Sequence, residues 1–154
     1  MDIKQKRRRF RELHQQGFFI LPNPWDIGSA RYLEKRGFQA LASTSSGAAL
    51  AVGRTDGELT RDEVIAHLRV LCAATSLPVN ADFEAGFGDT PQEIAASVRM
   101  AIDAGVSGLS IEDARNRILL DKSEAVERLR AARETIEAET AASTPYRNTL
   151  TGSP

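Results

Sequence analysis

Short apolar runs and longer segments of helical spacing alternate along the chain. Residues 18–21, 38–43, 77–82 and 106–111 are apolar and short, as strands buried on both faces are. The stretches between them carry the punctuation of helices. Asp26 is placed to cap a helix over residues 27–36, which Gly37 closes. Thr60 opens a helix that runs to about Ala74, and Glu63 completes a capping box with it. Thr90 and Pro91 start another, ending at Ala104 before Gly105. A last helix, rich in Ala, Glu and Arg, is expected from Ser123 to about Thr140. Ahead of the first strand, residues 2–16 read as an amphipathic helix ended by Gly17.

Four strand–helix units in series predict a parallel sheet covered by helices. Two architectures satisfy this, an open doubly wound sheet and part of a (β/α)₈ barrel. In both, chemistry collects at the carboxyl ends of the strands. There the sequence puts Asn23 and Asp26, then a small-residue loop with Ser45, Ser46 and Gly47, then Asp82 and Glu84, and last Glu112 and Asp113. A barrel fragment accounts for a polar cluster after every strand better than chance placement of charge does. Neither a G-x-G-x-x-G nor a G-x-x-x-x-G-K-[ST] pattern occurs, so a nucleotide site has little support.

The third cluster carries the most chemistry. Asp82 and Glu84 stand two residues apart where the strand ends, and the period of a strand puts both on one face. Like charges that close repel, and a shared proton or a divalent cation relieves them. Gly86 and Gly88 follow, allowing a tight turn and the approach of a ligand. A solvated turn leading into a helix cap at Asp89 is the plainer alternative.

Composition narrows the class further. A chain of 154 residues is about one domain. A net charge of −1 gives no reason to expect nucleic acid or a membrane surface as partner. The basic residues Lys4, Lys6 and Arg7 to Arg9 are expected on the solvated face of the first helix. No apolar run is long enough to span a membrane. The single cysteine, Cys72, excludes an internal disulfide, lies in an apolar helical run and is expected to be buried and inert. With no signal peptide in view, the cytoplasm is the expected compartment. His14 and His67 fall on helices, where structural or surface roles are expected.

Taken together, the motifs resemble the isocitrate lyase / phosphoenolpyruvate mutase superfamily, most closely its phosphonomutase-like branch. The resemblance covers roughly residues 10 to 135. It rests on Leu21-Pro22-Asn23-Pro24-Trp25-Asp26, Thr44-Ser45-Ser46-Gly47-Ala48, Gly53-Arg54-Thr55-Asp56-Gly57, Ala81-Asp82-Phe83-Glu84-Ala85-Gly86-Phe87-Gly88, Ser110-Ile111-Glu112-Asp113-Ala114 and Ala125-Val126-Glu127-Arg128. It implies a (β/α)₈ barrel and Mg²⁺ or Mn²⁺ as cofactor. Asp82, Glu84 and Glu112 would surround the metal, with Asp56 helping through water. Ser46, Gly47 and Ala48 would offer donors to a small 2-oxo acid, whose C–C or P–C bond breaks or rearranges through an enolpyruvate-like intermediate.

Two departures stand beside the likeness. Glu84 occupies a place where the mutases and isocitrate lyases have Asp. Residues 114–121 lack the Cys and His of the K-K-C-G-H-like loop that lyases and mutases carry there. Residues 1–140 are expected to form about four βα units of the barrel, a half barrel, and residues 141–154 a disordered tail. Open strand edges and an uncovered apolar sheet face predict a homo-oligomer, two halves completing one core. Three readings stay open at this point: a metal-dependent lyase or mutase, an inactive fragment retaining the metal site, and a non-enzymatic dimerising module.

Overall fold

The computed structural model describes residues 1–15, 17–115 and 118–141. Three parallel strands form its centre, β1 (Leu41–Ala42), β2 (Val79–Asp82) and β3 (Gly108–Ser110), in that spatial order. Leu41 lies opposite Val79, Asn80 opposite Gly108, and Asp82 opposite Ser110. The helices are α1 (Ile3–Leu13), α2 (Ile27–Lys35), α3 (Ser45–Ala51), α4 (Arg61–Ala74), α5 (Pro91–Ala104) and α6 (Lys122–Ala141). A small antiparallel pair, β4 (Ala114–Arg115) and β5 (Ile118–Leu119), follows β3.

Capping explains where the helices begin. Four of them, α1, α2, α4 and α5, carry a reciprocal box, formed by Asp2 with Gln5, Asp26 with Ser29, Thr60 with Glu63, and Thr90 with Glu93. Pro91 sits in the first turn of α5, and Gly105 ends that helix in the left-handed region at φ 98°. The core lies between the sheet and the two long helices behind it. Val79, Ala81 and Phe83 pack there against Val64 and Leu68 of α4 and Ile94 and Val98 of α5. Each large apolar side chain buried in this way is worth about 1.5–3 kcal/mol.

The basic residues of α1 do not all face solvent, contrary to the sequence expectation. Lys6 is only 8% exposed, and its Nζ donates to Cys72 O at 3.0 Å and Thr75 O at 2.6 Å. Arg7 donates from Nε to Val106 O (3.0 Å) and from Nη2 to Ile102 O (2.8 Å). The last carbonyls of a helix lack intrahelical partners and carry partial negative charge, which a cation satisfies. Neighbouring residues of α1 thus close the carboxyl ends of α4 and α5. Phe10 locks the same helix under β3, where a Cβ on Gly108 would stand 2.5 Å from its ring.

Three further expectations need correction. Residues 18–21 are not a strand, and Phe18 is 92% exposed and Ile20 62%. The chain there runs beside β1 but donates nothing through Pro22 or Pro24, leaving the bond from Ala42 N–H to Pro22 O at 3.1 Å. Residues 45–49 are helix, because Thr44 Oγ1 accepts the Gly47 N–H at 3.2 Å and the alanines that follow propagate the turn. The strand expected over 38–43 narrows to β1. Residues 142–154, read as most of a disordered tail, lie outside the described residues. No helix among the described residues is long and apolar enough to cross a membrane.

Candidate metal and substrate site

The carboxyl ends of the three strands are stitched to one another. Asp82 Oδ2 accepts the Ser45 N–H at 2.8 Å, and the Asp82 N–H donates to Ser43 Oγ at 2.8 Å. Those bonds tie the end of β2 to the turn after β1. On the other side, Phe83 N–H donates to Ser110 O (3.1 Å) and Glu112 N–H to Glu84 O (2.8 Å). Asp82, Glu84 and Glu112 are therefore carried on one rim by backbone that cannot shift independently. Asp56 lies in the exposed loop between α3 and α4, near enough for its charge to act on Glu84 and Glu112.

Their charges act on one another. Burial first, then the charges of Asp82, Asp56 and Glu112, push the Glu84 carboxyl from its ordinary 4.5 up to about 7. Glu112 moves upward too, again by desolvation first and then by Asp82, Asp56 and Asp113. Glu84 Oε1 is buried with no hydrogen-bond partner. Glu84 itself stands in the left-handed region at φ 43°, as does Phe87 at φ 53°, conformations that cost of order 1–3 kcal/mol each.

Such a donor set fits a hard cation. Every candidate donor is oxygen, the charges repel, and one buried carboxylate oxygen is unmatched. Among the described residues, no three His, Cys, Asp or Glu side chains are drawn together closely enough to hold a metal ion. Like charges stand apart where no counter-charge gathers them.

The residues read as substrate contacts lie on the first turn of α3. The Gly47 N–H is engaged by Thr44 Oγ1, and the Ala48 N–H by Thr44 O at 3.0 Å. Gly47 is glycine for a packing reason, since a Cβ there would stand 2.5 Å from Trp25 Cδ1 and 2.6 Å from Thr44 Cγ2. Gly88 is likewise filled in, a Cβ meeting Ile94 N at 2.7 Å, so it serves packing against α5 instead of ligand entry. Beside Glu84 a cleft of about 620 Å³ opens between the loops, lined by Thr60, Arg61, Phe87 and Arg115 among others. It takes in Glu84 alone of the four carboxylates.

Cys72 is buried, and desolvation raises its thiol to about 11, so it is inert as expected. His67 is partly buried on α4, pushed down by desolvation, and remote in role from the rim. Arg128 lies in one of the motifs that carry the resemblance, but no role was expected of it. The residue is 3% exposed, and its guanidinium reaches the loop that carries Glu84.

The family model described as phosphoenolpyruvate phosphomutase matches residues 10–143. The chain belongs to the isocitrate lyase / phosphoenolpyruvate mutase superfamily. Among superfamily members and relatives, 2-methylisocitrate lyase of Escherichia coli is 34% identical over 110 residues, covering 64% of this chain and 37% of that protein. An uncharacterised protein of Mycobacterium tuberculosis is 36% identical over 127 residues, covering 81% of this chain and 48% of its own length. A solved structure from Burkholderia cenocepacia J2315, described as a lyase/mutase, superposes with a TM-score of 0.85 at 44% identity, covering 89% of this chain and 51% of that one. The chain thus spans about half the length, or less, of the curated relatives it matches.

Proposed function

We propose that this superfamily member carries out Mg²⁺- or Mn²⁺-dependent lyase or phosphonomutase-like chemistry on a small 2-oxo acid, breaking or rearranging a C–C or P–C bond. The observation that supports this reading best is the buried, unpartnered Glu84 Oε1 among the charges of Asp82, Asp56 and Glu112. Asp82, Glu84 and Glu112 would hold the metal, and Asp56 would act from the loop. A bound divalent ion supplies charge stabilisation for an enolate-like oxygen. The chain's own part is to fix the carboxylates by the backbone bonds between strand ends and to bring the substrate against α3. There Ser46, with the turn through Gly47 and Ala48, would receive the substrate's carboxylate or phosphonate. The described βα units would be the first half of a barrel, and the exposed Phe18 and Ile20 beside β1 and the outer edge of β3 would be covered by a second copy.

The test is turnover. Purified chain with Mg²⁺ is expected to consume an oxaloacetate-like or phosphonopyruvate-like acid, with loss of activity in Glu112→Gln and a raised KM in Ser46→Ala. Turnover indifferent to Glu112→Gln would refute the reading. One observation favours a second reading, binding without turnover: residues 114–121 hold neither Cys nor His to move a proton. Carboxylate-dependent metal binding with no consumption of any 2-oxo acid is its signature.

A further inference from the structure

The loop that carries Glu84 is held in an unfavourable shape by its carbonyls. Two of its non-glycine residues, Glu84 and Phe87, have positive φ, and such conformations persist only where the surroundings over-determine them. Glu84 O accepts from Glu112 N–H at 2.8 Å, and Phe87 O from the buried Ser97 Oγ at 2.8 Å. Ala85 O and Gly88 O both accept from one nitrogen, Arg128 Nη1, at 3.0 and 2.9 Å. Arg115 Nη2 adds a second bond to Gly88 O at 3.0 Å, while its Nη1 is drawn to Asp89 Oδ1 at 2.5 Å.

Arg128 is almost wholly buried, whereas Glu127 and Leu129 on either side of it are exposed. Its Nε and Nη2 are both turned to Glu124 Oε1, at 3.1 and 2.8 Å, which fixes the guanidinium plane and aims Nη1 at the loop. A planar fork held on one edge by a carboxylate presents its other edge in a set direction, which a lysine cannot do as well. Beneath the loop, Gly86 and Gly88 press on α5, where any Cβ would clash with Ile94 or Glu93. The loop is clamped from above and below.

We infer that Arg128 is a positioning residue, which sets Glu84 on the carboxylate rim by holding Ala85 O and Gly88 O, and that Glu124 orients Arg128 for the purpose. The consequence for metal rests on the reading above; the hold on the loop does not. Arg128→Met frees Ala85 O and leaves Gly88 O to Arg115 alone, and the backbone of 84–88 relaxes toward ordinary φ values. Arg128→Lys keeps the charge and reaches one carbonyl, giving partial rescue. Glu124→Gln leaves the buried guanidinium in place but weakens its aim, and it tests the same idea in a chain whose folding is not at risk.

Hydrogen exchange on the metal-free full chain decides the inference. The amides of Gly86 and Glu112, bonded to Phe83 O and Glu84 O, are expected to exchange at least tenfold faster in Arg128→Met and about threefold faster in Glu124→Gln. Those of Leu68 and Val98 in the helices behind should stay unchanged. Should Arg128→Met fail to fold, Glu124→Gln alone decides. Mn²⁺ affinity by paramagnetic resonance should fall in the same order, with Arg128→Lys between the parent and Arg128→Met. Unchanged exchange at Gly86 and Glu112, or uniform acceleration everywhere, overturns the inference. A parent chain that binds no Mn²⁺ overturns the metal reading instead, and the exchange result still stands on its own.

Discussion

The two ends of the sheet solve opposite problems. At the amino ends of the strands, α1 brings Lys6 and Arg7 to the last carbonyls of α4 and α5, and these charged groups find partners at 2.6–3.0 Å. At the carboxyl ends, carboxylate charges act on one another, two non-glycine residues stand at positive φ, and a carboxylate oxygen is buried alone. The first arrangement spends electrostatics on stability. The second sets carboxylate charges against one another and raises the Glu84 carboxyl. In βα architectures this division is the rule, with stability at the bottom of the sheet and chemistry at the top.

The comparison breaks most visibly at Lys6. Lys6→Met should destabilise the chain by about 2–4 kcal/mol, since two buried carbonyls lose charged donors and find no others. Denaturant unfolding measures this. Mn²⁺ affinity of the folded fraction should be untouched, and a parallel loss of metal binding would mean that the two ends are not separate.

Gly47→Val comes next, at about 1–3 kcal/mol from overpacking against Trp25 and Thr44. Trp25 fluorescence should shift with it. A stable variant with unchanged fluorescence would show that α3 has room that its packing denies.

The smallest effect is also the most diagnostic of this mutual repulsion. A carboxyl raised to about 7 in the folded chain binds its proton more tightly there than in the unfolded chain. Its contribution to stability is therefore complete below the ordinary 4.5 and is lost as pH rises through about 7. Glu84→Gln removes that dependence. The variant should gain on the parent by about 1 kcal/mol between pH 5 and 8, a figure reduced for solvent screening at this half-buried group. Thermal unfolding of both chains across that range measures it. A constant difference would place no strain at Glu84.

Much of this was legible locally. Capping residues such as Thr60 with Glu63, and Thr90 with Pro91, mark helix starts because the bonds they make span only a few residues. The rim carboxylates were legible for a related reason, since each follows an apolar run that has to end in the sheet. What failed was non-local or ambiguous in period. Residues 18–21 are as apolar as a strand, yet nothing in them reveals that Phe18 stays in solvent. Residues 45–51 are small and polar enough to pass for a loop, and Gly47 hides a helix start that Thr44 announces. Lys6 and Arg128 reach carbonyls distant in sequence, Cys72 and Thr75 for one, Ala85 and Gly88 for the other. A basic residue on a helix looks solvated until its distant partner is known.

The carboxylates at the strand ends are proposed as a site for a hard divalent cation. Calorimetric titration of the full chain with Mn²⁺ at pH 7.5 tests it most directly. Binding is expected at one site per chain, weakened at least tenfold by Glu112→Gln and competed by Mg²⁺. Heat that is absent at millimolar metal, or that is the same in the parent and Glu112→Gln, would contradict it.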